Sequence, residues 1–141
     1  MTGAGMFEFT DAGRILAGIA LLSIVTIEVG GWFLTKIVRG AVPMTPFQQA
    51  FARAGHAHAG VLVTLGLVGI LYADLARLDG LVGWLSRSCV LAAAILMSGG
   101  FFAASAGKDR HRPNAAIALV WVGALSLATG VVSLGAGVLA S

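Results

Sequence analysis

Apolar positions fall into four long blocks, and polar positions fall between them. Residues 15–35 carry one charged side chain, Glu28; residues 54–73, 88–107 and 113–141 carry no formal charge. These blocks are 21, 20, 20 and 29 residues long. A hydrocarbon core of about 30 Å takes roughly 20 helical residues, so each block is long enough to cross it. The blocks are too long for barrel strands and lack their period-two alternation. The pattern predicts an all-α integral membrane protein: a four-helix transmembrane bundle forming a single domain over 1–141, with spans at about 12–36, 52–74, 85–107 and 114–139.

Local signals place the ends of these helices. Thr10 or Asp11 is expected to cap the first. Thr45-Pro46-Phe47-Gln48 reads as a capping box with proline at the first helical position. Gly107 is expected to end the third helix, and Pro113 to open the fourth after the charged loop 108–112. Residues 1–10 contain Glu8 and no basic residue, and the apolar run after them is longer than a signal core, so no cleavable signal is expected there.

Composition agrees with the pattern. The chain is 58% hydrophobic and 11% charged, with a mean hydropathy of +0.94; soluble domains are about one quarter charged. A solvated globular surface is excluded, and 141 residues leave no room for a separate soluble catalytic domain. The pI of 9.8 is not a nucleic-acid signal. The net charge is only +3, and the basic residues sit at the ends of apolar runs instead of forming one face with interleaved aromatics. Cys89 is the sole cysteine, which leaves no intrachain disulfide and no cysteine metal site. Lys36, Arg39, Arg53, Lys108, Arg110 and Arg112 lie at one side, and Arg14, Arg77 and Arg87 at the other. Six against three places the first side in the cytoplasm of a plasma (inner) membrane, with both termini outside. Small residues form faces on the fourth span (Gly123, Ser126, Gly130, Ser133, Gly137) and on the second (Gly55, Ala59, Gly66, Gly69, Ala73). Such faces serve helix packing within one subunit or an interface between subunits.

Ionisable groups inside a bilayer are costly and default to functional candidates. The spans hold three: Glu28, His56 and His58. Glu28 is eight residues before Lys36, about 12 Å in; His56 and His58 are three and five residues beyond Arg53, about 4–8 Å in from the same side. The three are expected to meet near one level. Residues two apart on a helix point about 200° apart, so His56 and His58 cannot chelate one ion. A bis-histidine haem within one subunit is unsupported, while a single axial histidine leaves a haem possible. A zinc or copper ion held by Glu28 and one histidine lacks the usual third and fourth ligands. Small residues around the histidines, with Gly60 among them, leave room for a flat macrocycle. So do Ser98 and Gly99 ahead of Phe101 and Phe102 on the third span.

The stretch Phe51-Ala52-Arg53-Ala54-Gly55-His56-Ala57-His58-Ala59-Gly60 resembles the second helix of styrene oxide isomerase and of its relative hydroxylaminobenzene mutase, small four-span membrane proteins. The resemblance covers about ten residues of motif, while size and span count match along the chain. It implies an oligomeric membrane isomerase that binds haem b through one histidine of the second helix and acts on a small lipophilic epoxide or hydroxylamine by Lewis-acid catalysis. By position, Ala57-His58-Ala59-Gly60 fits the axial-ligand segment, and the lead-in Ala52-Arg53-Ala54 points to His56 as second choice. Thr64 stands where the family has asparagine six residues after the ligand. Phe101 and Phe102 stand where it has polar groups, leaving Ser98 nearby. Glu28, Thr64 and Ser98 are then the candidate catalytic groups. A different class of function also fits the chain: an accessory subunit of a membrane complex, or a proton or metal translocation element.

Overall fold

The computed structural model describes residues 8–141; the reading of residues 1–10 as no signal sequence lies mostly outside the described residues. Four helices run in order: α1 (Asp11–Val38), α2 (Pro46–Leu75), α3 (Gly80–Ser105) and, after a 3-10 turn at Ala115–Ile117, α4 (Ala118–Ala140). No strand is present among the described residues. Each helix is long and apolar enough to cross a membrane, and together they form a multi-pass bundle. At 1.5 Å per residue the 30-residue α2 reaches about 45 Å, so its ends project beyond the hydrocarbon core.

The caps explain the boundaries. Thr10 caps α1, its hydroxyl accepting from the Gly13 N–H, and Thr45 and Gln48 form the capping box of α2. The third helix stops at Ser105, two residues before the glycine expected to end it. Its last carbonyls are taken by side chains from elsewhere: the Gln48 amide donates to Ser105 O and Gly107 O at 3.0 and 2.8 Å, and the Asn114 amide to Ala103 O at 2.8 Å. Asn114, not Pro113, caps the 3-10 turn that leads into α4, accepting from the Ala116 N–H.

The centre of the bundle is α3. Both α2 and α4 pack along it, α1 packs mainly on α2, and the described residues of α1 do not touch α4. The core joins Leu62 and Val63 of α2, Ala93, Ala94 and Met97 of α3, Val120 of α4 and Ala20 of α1. In lipid no hydrophobic force draws apolar helices together, so close backbone approach has to supply the attraction. The small-residue face of α4 is used in this way: a Cβ on Gly123 would lie 2.5 Å from Met97 Cγ, and one on Gly130 3.0 Å from Val90 Cγ2. The Ser126 hydroxyl donates to Cys89 O at 2.8 Å. On α2, Gly66 receives Leu91. These faces are therefore occupied by packing within one subunit.

At the end of the bundle opposite the cationic loops, three helices meet on one carboxylate. Asp74 is fully buried and Arg87 nearly so. Arg87 Nε donates to Asp74 Oδ1 at 2.6 Å and Nη1 to Leu78 O at 2.9 Å. The Thr10 N–H and hydroxyl donate to the two carboxylate oxygens at 3.2 and 3.1 Å. Gly13 makes this possible, since a Cβ there would overlap Asp74 Oδ2. Arg87 is thus half of a buried ion pair and not a loop charge, and the count of basic residues between the two ends becomes six against two.

Removing one partner of a buried ion pair costs about 3–5 kcal/mol, because the other charge is left uncompensated. Asp74→Ala should lower stability by about that amount, read as thermal unfolding in detergent. The double replacement Asp74→Leu/Arg87→Met should recover most of the loss. An Asp74→Ala protein as stable as the parent would refute the role given to this pair.

Candidate functional site

The two histidines of α2 lie on opposite flanks of an exposed ridge, Ala57 and Val61. His56 turns toward α1. Its ring lies in a notch made by Gly30 and Gly31, whose missing side chains would begin 3.3 Å from the ring atoms. It borders a shallow groove of about 410 Å³ with Gly60 and Thr64. The Thr64 hydroxyl is already committed, donating to Gly60 O at 2.9 Å.

His58 turns toward α3 and α4. Its Nδ1 lies 2.7 Å from Ala54 O, a contact that requires the proton on Nδ1. In the neutral imidazole the Nε2 lone pair is then free, the arrangement in which histidine acts as a metal ligand. The His58 ring packs on Phe101 with centroids 5.0 Å apart, Phe101 meets Phe51 edge-on at 5.4 Å, and Phe51 meets Phe47 at 4.3 Å. This row fixes the ring from its other side and runs from the start of α2 to His58. Beyond the ring is a cleft of about 270 Å³, walled by Leu62, Met97 and Leu127. Phe47 and Phe51 are the members of this row that sequence reasoning missed. Their spacing of four, with His58 seven further on, was the available signal, since those positions share a helix face.

The remaining candidates do not gather around either ring. Glu28 is exposed on α1 and has no partner among the described residues. Helix geometry explains why it fails to meet the histidines. The helices α1 and α2 are antiparallel, as the contacts of Asp74 with Gly13 and of His56 with Gly30 require. Glu28 is two residues before Gly30, about 200° round α1 from it, and so points away from His56. Phe101 and Phe102 also separate: Phe102 packs on Gly55 and faces a different cavity, near Phe33 and Gln48. Gly99 is exposed with open space around it and lines neither histidine cleft. Ser98 is buried, and its hydroxyl has no hydrogen-bond partner. No group of three or more His, Cys, Asp or Glu comes together among the described residues. Of the three ionisable candidates, His58 is the one that lines the cleft walled by Leu62, Met97 and Leu127.

Comparison with known protein families, with characterised proteins and with solved structures returns no match.

The geometry fixes a tautomer. His58 should carry its proton on Nδ1, read from the nitrogen chemical shifts of selectively labelled protein at a pH where the ring is neutral. Protonation on Nε2 would contradict the Ala54 contact.

Proposed function

We propose that this protein is a haem-dependent membrane isomerase or mutase acting on a small lipophilic substrate, in which His58 would be the one side chain that holds the haem iron. The observation that carries this reading is the Nδ1–H bond of His58 to Ala54 O, which leaves Nε2 unprotonated beside an apolar cleft. The donor set fits the group: a haem brings four nitrogens of its own and needs one imidazole from the chain, whereas a bare ion needs three or four protein ligands. The cleft walls, Met97, Leu62 and Leu127, match the apolar face of a macrocycle, and at about 270 Å³ the cleft would take its edge while the rest lay against the open outer side.

When bound, the haem iron supplies a Lewis acid able to polarise an epoxide or hydroxylamine oxygen. The chain's own part is to hold and orient. Ala54 O fixes the tautomer and direction of His58, and Phe101 buttresses the ring. The apolar walls exclude water and favour lipophilic substrates. On the other flank of the ridge, Thr64 and His56 line the second groove. Buried Ser98 retains a free hydroxyl at a neighbouring level of α3.

Both histidine clefts open to the outside of a single chain, which favours a homo-oligomer whose second copy covers them. The six-to-two imbalance of basic residues supports a cytoplasmic cationic end, with both termini outside a plasma (inner) membrane. A second reading is favoured by one observation. The unpartnered Glu28 on the outer face of α1 suits an accessory subunit whose carboxylate meets a larger membrane complex.

Histidine replacement separates these readings. His58→Ala should abolish the Soret absorption of haem-loaded protein, and His56→Ala should retain most of it. Equal retention in both variants would sink the assignment of His58.

A further inference from the structure

A further cavity lies apart from both histidines. It lies at the cationic end, where the C-terminus of α1, the start of α2 and the end of α3 converge, and measures about 460 Å³. Its inner wall is apolar, with Phe33, Met44 and Phe102. Gln48 crosses it, nine-tenths buried, with every polar atom engaged: its amide donates to Ser105 O and Gly107 O, and its carbonyl accepts from the Thr45 N–H. Lys108 and Asp109 stand at the mouth, exposed and with no hydrogen bond or ion pair among the described residues. The site is amphiphilic, and its volume falls within the range of small-molecule pockets.

We infer that this cavity holds an anionic phospholipid, its phosphate on Lys108 and one acyl chain against Phe33, Met44 and Phe102. Three observations select that occupant. The cavity sits where the spans leave the hydrocarbon core, so its apolar wall and charged mouth match the chain and headgroup of a bilayer lipid. No buried side-chain nitrogen or oxygen of its lining lacks a hydrogen-bond partner, so no side chain inside asks for a polar ligand. The charge at this end of the spans is positive: Lys36, Arg39, Arg53, Lys108, Arg110 and Arg112 flank the apolar runs there, against the carboxylate of Asp109. Cations of this kind attract anionic headgroups to the membrane surface. Asp109 opposes the phosphate, which gives the site a variant expected to bind more tightly than the parent. Its left-handed backbone, at φ 50°, is one that asparagine adopts as readily.

Native mass spectrometry of the full chain, titrated with phosphatidylglycerol or phosphatidylcholine of identical acyl chains, tests the inference. One phosphatidylglycerol should be retained per chain in preference to phosphatidylcholine. Lys108→Gln should weaken its binding about fivefold, Asp109→Asn should strengthen it, and Phe33→Asn should weaken it through the acyl wall. Arg39→Gln, outside the cavity, should have a smaller effect than Lys108→Gln. Excess inorganic phosphate should not displace the lipid. Equal retention of the two lipids, an Arg39→Gln loss as large as that of Lys108→Gln, or displacement by phosphate would each overturn it.

Discussion

The buried pair of Asp74 and Arg87 determines how the other elements can be arranged. A carboxylate taken out of water needs its lone pairs filled, and a guanidinium needs acceptors. Arg87 meets this with Asp74 and the Leu78 carbonyl, and the carboxylate takes both donors of Thr10. One ion pair therefore ties the first turn of α1 to the last of α2 and the start of α3. Because α1 has little other attachment, the pair also sets the depth at which its glycine notch faces His56. The opposite end is closed by neutral groups, Gln48 and Asn114 on the carbonyls of α3.

Between these two ends the bundle separates its chemistry by direction around α2. Between its flanks α2 packs on α3, with Gly66 receiving Leu91. One flank carries His56 against the glycines of α1; the other carries His58 against Phe101 and the Met97–Leu127 cleft. Two histidines separated by one residue, Ala57, thus occupy unrelated environments. Only one of them has a carbonyl that fixes its tautomer.

Much of the fold was legible in the sequence because bilayer thickness and helix rise translate directly into run length. The capping box at Thr45 and Gln48 was legible for a similar reason, since its spacing is local. The divergence of His56 and His58 came from 100° per residue alone. What escaped was everything that depends on contacts between helices. Asp74 and Arg87 look like loop charges because they flank apolar runs, and nothing local reveals that they face each other across 13 residues. Glu28 and the histidines share a level by residue count, but Glu28 points about 200° round α1 from Gly30, the glycine that faces His56. Phe101 and Phe102, adjacent in sequence, end in different cavities for the plain reason that neighbours on a helix point 100° apart.

The proposed chemistry rests on one imidazole serving as the sole protein ligand to a haem. Titration of the detergent-purified protein with haemin, followed by absorption and electron paramagnetic resonance, tests this most directly. The expected result is saturation at one haem per chain with the spectrum of iron bound by a single histidine. Failure to saturate, or a bis-histidine spectrum, would contradict it.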